Sequence, residues 1–308
     1  MTGYPATWGR WGTLDERGAG NLLTPEVVLS ALGTAQDGRV LSLSLPIRGS
    51  TSSHAPLSVP HLAGRPLPQH FMSIDGGDYA AGAKRLKGEI CLADDALMIS
   101  PHGTTTHMDA LCHVWRDDAV YNGHPANRVR SYGATRCGID KVSTGFVARG
   151  VLLDVAGHLG VPYLDATVRI GAEILEECAA AAGVTVQPGD VAVVRTGWPR
   201  VFQSDPRRYQ AGQPGLSYDG GQWLAERDVC MVACDNVGVG AIAEDGSFDA
   251  PPDEDLHLLF LWRHGIYLAE MLWLEELAES GRAEFLFIAA PLAVEGGTGS
   301  AINPLAVL

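Results

Sequence analysis

Between Ser100 and Asn122 the chain reads SPHGTTTHMDALCHVWRDDAVYN. Within it His107, Asp109 and His113 form an H-x-D-x3-H array, and His102 stands five residues before His107. Imidazole and carboxylate are the ligand set of Zn, Mn and Fe(II). On a strand, positions i and i+2 point to one face, so a strand through His107 and Asp109 turns both toward one ion. A helix starting nearby would bring His113 back over the same site, because positions i and i+4 share a helix face. Gly103 and the three threonines before His107 suit a tight polar turn with hydroxyls free to support the ligands. The spacing matches no C2H2, HExxH or EF-hand pattern. One histidine alone would read as a core or surface group. Three histidines and an aspartate in twelve residues, flanked by apolar residues, read as a metal centre.

A second cluster lies downstream. His257 sits in DEDLHLL and Glu270 ends the apolar run GIYLAE. A glutamate buried after such a run needs a cation or a hydrogen-bond partner, though a plain salt bridge at a strand end would serve equally. Other chemistries are poorly represented. The chain has no G-x-S-x-G elbow and no GxxxxGK[ST] loop, and Gly238, Gly240 and Ala243 make only a loose G-x-G-x-x-A match. Trp8, Trp11, Trp115, Trp198 and Phe71 are candidates for an aromatic substrate wall, with Trp8 and Trp115 the chosen substrate contacts. Each taken singly reads more readily as core.

The secondary structure around these residues follows from pattern. Thr24 before Pro25 marks a helix start, as N-cap and N1. Leu41 to Leu45 alternates as a half-buried strand does. Residues 48–90, rich in Ser, Pro, Gly and His, read as long excursions of the kind that usually carry function. Residues 92–100 read as a buried strand. Further strands are expected over 150–156, 190–195, 229–234 and 284–289, and an apolar block over 256–264 and 266–271. Helices are expected over 167–182, ending at Gly183, from 222, and over 274–280. Strands alternate with helices in the second half, which makes the class α/β, and with no split point the chain reads as one domain over 1–308.

With 22 Lys and Arg against 36 Asp and Glu, the formal net charge of the 308 residues is −14. Nucleic acid and anionic membranes as partners both call for a basic patch, so neither is expected. The opening Met1-Thr2-Gly3-Tyr4-Pro5 lacks the basic and apolar regions of a signal peptide. The longest apolar stretch, near Phe285 to Val294, is about half of what a membrane span requires. Six cysteines at scattered positions, none paired as CxxC, suit reduced thiols in a cytoplasm.

Taken together, THMDALCHVW, the YNG at 121–123, PGDVAVVRTGW, WLAERDV with its following CDN, LHLLFL, GIYLAEMLWLEEL and PLAVEGGTGSAINPLA resemble the cyclase family of metal-dependent hydrolases. That family includes bacterial kynurenine formamidases and isatin hydrolases, and its signature is H-x-G-T-H-x-D-x-P-x-H. The opening WGRWGTLDERGAGNLLTPE and the length are similar to its longer branch. The resemblance implies the family's swivelling β/β/α-type fold, a single domain here with long N-terminal excursions. It implies His107, Asp109, His257 and Glu270 as metal ligands and His113 as the catalytic acid/base. The signature proline is Leu111 here, and the first signature histidine falls on Gly103. Either the loop bulges so that His102 ligates, or that imidazole is missing. One ion per subunit, Mn2+ or Zn2+, is therefore expected.

The activity implied is hydrolysis of a cyclic or aryl amide, lactone or ester: metal-activated water attacks the carbonyl and His113 carries the proton. A ring-forming cyclase of polyketide type and a non-catalytic metal-binding member are the alternatives. The substrate is expected to be a small aromatic or cyclic molecule, and the protein a homodimer or homotetramer.

Overall fold

In the computed structural model, which describes residues 7–48, 59–243 and 251–308, nine strands build one mixed sheet. They are β1 (Val40–Ser42), β2 (His107–Asp109), β3 (Phe146–Asp154), β4 (Val191–Arg195), β5 (Met231–Cys234), β6 (Tyr267–Glu270), β7 (Glu284–Ala289), β8 (Gly299–Ala301) and β9 (Leu305–Val307). Their order across the sheet is β1-β9-β7-β3-β4-β5-β6-β2-β8. The centre, β3 to β6, is parallel, and both flanks pair antiparallel. Every residue of β4 (VAVVR) and β5 (MVAC) is buried. Successive side chains point to opposite faces, so both faces of the centre are covered and the strands read as unbroken apolar runs.

Local signals set the covering helices. The Thr24 hydroxyl accepts from the Val27 amide and Pro25 opens the helix Pro25–Leu32, which packs on β3 and β7. The helix Ala172–Ala182 stops at Gly183, whose φ of +69° suits a residue without a Cβ. It begins later than its periodicity predicts, because Arg169–Ile170 is drawn into a short parallel pairing with Gly215–Leu216. The helix expected from 222 spans Tyr218–Ala225. The apolar block after Leu256 forms a π-helical segment, Leu258–His264.

Two expectations are corrected. The strand within 92–100 exists as Asp94–Met98, yet it is exposed rather than buried. It pairs with Gln69–Ile74 in a two-stranded ribbon apart from the main sheet, so neither of its faces meets the core. No helix follows Asp109. Residues 110–113 form a turn in which the His113 amide donates to the Ala110 carbonyl at 2.9 Å. The Met1–Pro5 opening and the 49–58 part of the long excursion lie outside the described residues. Among the described residues no helix is long and apolar enough to cross a membrane.

Candidate metal centre and its cleft

The register of β2 against β6 assembles the centre. His107 lies opposite Glu270, and Asp109 opposite Leu268. Directly paired residues share a face, as do residues two apart. His107, Asp109 and Glu270 therefore project from one side, while Met108 goes to the core on the other. On the far side of β2, Gly299 lies opposite Asp109 and Ala301 opposite His107. These small residues leave room above the strand, and His102 uses it: a Cβ on Gly299 would stand 2.5 Å from the His102 Cε1.

His102 reaches the centre because Gly103 turns the chain with φ +76°. The Gly103 carbonyl accepts from the Leu62 amide at 2.6 Å, which pins the turn. His102 Nδ1 lies 2.8 Å from Asp109 Oδ1, and its Nε2 3.2 Å from Thr298 Oγ1. Of the two alternatives at Gly103 the loop takes the first course, bringing the His102 imidazole to the cluster from one position earlier. The threonine hydroxyls are not free as expected. Thr104 donates to the Ser100 carbonyl, and Thr106 donates to the Met271 carbonyl at 2.6 Å and accepts from the Leu45 amide at 2.9 Å. They hold the loop, and the Thr105 carbonyl, 2.8 Å from His107 Nδ1, turns His107 Nε2 toward the centre.

Around that point His107 Nε2 stands 3.6 Å from Asp109 Oδ1 and 3.5 Å from Glu270 Oε2. His257 Nε2 stands 3.4 Å from Glu270 Oε1 and 3.8 Å from Asp109 Oδ2. His113 stacks on His102, ring centres 4.0 Å apart and planes within 8°, and its ring centre is 6.0 Å from that of His257. Two ligand sets emerge that share Asp109, one with His102 and His107 and the other with His113 and His257. Glu270 Oε2 accepts from the Gly238 amide at 2.7 Å. The glycine of the loose G-x-G match thus serves a carboxylate rather than a phosphate. Val239 and Met271, next to these contacts, hold positive φ of 50° and 58°, a strain that clusters at functional sites.

Burial alone would raise the Asp109 carboxyl, but His113, His102 and His107 outweigh it and hold it ionised well below the usual range. Burial lowers His113 to about 4 against the pull of Asp109. Burial would lower His257 too, yet contact with Glu270 and the charges of Glu270 and Asp109 lift it to about 9. Two buried carboxylate oxygens, Asp109 Oδ2 and Glu270 Oε1, have no hydrogen-bond donor. Such oxygens are costly to bury unless a cation meets them. The donor set, imidazoles and carboxylates converging from several sides, suits a divalent ion.

A cleft of about 200 Å³ opens on the cluster, walled by Leu62, Val114 and Val237, with Arg65 among its lining residues. A larger cavity of about 350 Å³ adjoins it and shares Gly238, Asp255 and His257. Neither tryptophan chosen for substrate contact lines the cleft or this cavity. Trp8 donates to the Trp262 carbonyl at 2.7 Å and meets the Trp262 ring edge-on. Trp115 is half exposed, one residue past Val114, which points in. Sequence reasoning passed over Leu62, Arg65 and Val237, for they lie in loops far from the motif and carry no spacing signal.

Residues 41–241 match the family model described as "Putative cyclase". A solved structure described as a novel cyclase is 34% identical, covers 99% of this chain and 100% of its own, and superposes with a TM-score of 0.88. An isatin hydrolase bound to the product analogue thioisatinate is 19% identical over 93% of this chain and 99% of its own, TM-score 0.62. Isatin hydrolase A from Ralstonia solanacearum is 20% identical over 92% of this chain and 98% of its own, TM-score 0.61. No curated protein matches the chain in sequence.

Proposed function

The chain belongs to the cyclase family, and from that premise we propose that it is a metal-dependent hydrolase of a cyclic or aryl amide, lactone or ester. One observation carries the reading: Asp109 Oδ2 and Glu270 Oε1 are buried without a hydrogen bond and converge on one imidazole nitrogen, His257 Nε2, at 3.8 and 3.4 Å. His107, Asp109, Glu270 and His257 would hold a divalent ion, Mn2+ or Zn2+. One ion per subunit suits the charge, because two buried carboxylates balance one dication. When bound, the ion supplies Lewis acidity, polarising a carbonyl and making water acidic near neutral pH.

The rest falls to the chain's own groups. His113, kept neutral by burial, takes a proton from the attacking water at a ring nitrogen and returns it to the leaving group. His102, hydrogen-bonded to Asp109 and stacked on His113, fixes the orientation of both. Leu62, Val114 and Val237 offer an apolar wall for a ring and keep water from one side of the cleft. The names of the isatin hydrolases that share this fold favour a small cyclic or aromatic substrate.

We place the enzyme in the cytoplasm, in keeping with six cysteines of which none is in a disulfide. We read it as a homodimer or homotetramer with no nucleic-acid or membrane partner. The 69–74/94–98 ribbon exposes Phe71, Met72, Leu97 and Met98, apolar surface that a second copy would cover. The test is a panel of N-formylkynurenine, isatin and simple lactones with added Mn2+ or Zn2+. Metal-dependent ring opening or deformylation of at least one is expected. No turnover of any, with metal bound, would overturn the reading.

A further inference from the structure

Arg65 stands apart from the metal cluster yet lines the same cleft. It follows the turn in which the Leu62 amide donates to the Gly103 carbonyl. Gly103 has no side chain, and the position its Cβ would take lies 3.6 Å from the Arg65 Cγ. The aliphatic stem of Arg65 therefore passes within van der Waals reach of the backbone at Gly103, next to His102. Arg65 is exposed and makes no ion pair among the described residues. It is also the one Lys or Arg among the described residues that line the cleft, which Leu62, Val114 and Val237 line with it.

The charge balance makes that position informative. The chain carries a net −14, and the cleft is lined by Asp255, a carboxylate that an ion held by Asp109 and Glu270 would not balance. A cation at the cleft offsets that acidic surround for an anionic substrate. A neutral one would need no guanidinium there. Guanidinium is suited to carboxylate, which it can grip through two parallel N–H donors.

We propose that Arg65 is a specificity-determining residue: it binds a carboxylate carried by the substrate, whose apolar ring lies against Leu62, Val114 and Val237 while the scissile carbonyl faces the metal cluster. The substrate class is then an acid-bearing aryl or cyclic amide, lactone or ester. This rests on the hydrolase reading above but is tested independently of turnover.

The probes are anthranilate and aniline, which share a ring and an amine and differ by one carboxylate. Their binding to the Zn2+-loaded protein is measured by calorimetry for the wild type, Arg65→Ala and Arg65→Lys. A charge-assisted hydrogen bond lost at the cleft mouth should weaken anthranilate about tenfold or more in Arg65→Ala. Aniline binding should stay unchanged, and Arg65→Lys should recover part of the loss because it keeps the charge but not the fork. Arg65 is exposed, so circular dichroism and melting should match the wild type. Equal anthranilate affinity in wild type and Arg65→Ala, or equal losses for both probes, overturns the proposal. So does a wild type that shows no preference for anthranilate. A failure of all ester, lactone and amide turnover would count against the hydrolase reading and leave this binding result to stand or fall alone.

Discussion

Gly299→Ala adds one methyl group and should disable the site without replacing any of its imidazoles or carboxylates. The new Cβ would lie 2.5 Å from His102 Cε1, 3.0 Å from His102 Nε2 and 2.8 Å from the Met108 carbonyl oxygen. Non-bonded carbons settle at about 3.5 Å or more, so the imidazole must retreat by roughly 1 Å. His102 Nδ1 now sits 2.8 Å from Asp109 Oδ1; a retreat of that size breaks the hydrogen bond. The stacked His113 loses its support at the same time. A misplacement of about 1 Å in a catalytic group costs on the order of 10² in rate. The assay is kcat and KM on whichever panel substrate turns over, with metal content measured alongside. Gly76→Ala, where an added Cβ meets nothing within 4 Å, is the control and should match the wild type. Gly299→Ala turnover within threefold of wild type would show that His102 has no part in the chemistry.

The other predictions follow from the same geometry. His113→Gln should keep metal content near one equivalent and cut kcat by roughly 10²–10⁴; loss of the metal instead would make His113 a ligand. His257 is raised from 6.5 to about 9, so in chelator-treated protein its contribution is full below pH 6.5 and is lost as pH rises through about 9. That loss is about 3 kcal/mol, from 1.36 kcal/mol per unit. Urea unfolding should show the decline in wild type and not in His257→Gln; equal pH profiles would refute the Glu270 contact as its cause. Light scattering at micromolar concentration should give a multiple of 32.6 kDa, and the monomer mass would remove the role assigned to the exposed ribbon.

Much of this was legible before any coordinates because the chemistry is local. The i, i+2 pairing of His107 and Asp109 on one strand face is a property of three residues, and it appears as written in β2. The buried strands β3, β4, β5 and β7 announce themselves as apolar runs, and Thr24-Pro25 and Gly183 mark helix ends by stereochemistry alone. What spacing cannot encode is register between distant segments. That Glu270 faces His107 depends on the alignment of β6 with β2, and only the family resemblance had linked them. Spacing leaves the position of His102 open because its path turns on one dihedral angle at Gly103. The exposure of the strand Asp94–Met98 has no sequence signal, because burial depends on what lies above a strand, not on its own residues. Trp8 and Trp115 read as substrate contacts by type, but one is held by Trp262 and the other is half exposed and does not line the cleft.

In the function proposed above, the buried cluster of His107, Asp109, Glu270 and His257 holds one divalent ion. Calorimetric titration of Mn2+ or Zn2+ into chelator-treated protein, beside Asp109→Asn, tests this. The expected result is a stoichiometry close to one per chain, with binding lost or weakened by at least tenfold in Asp109→Asn. No binding to the wild type, two stoichiometric ions, or equal affinity in the variant would contradict it.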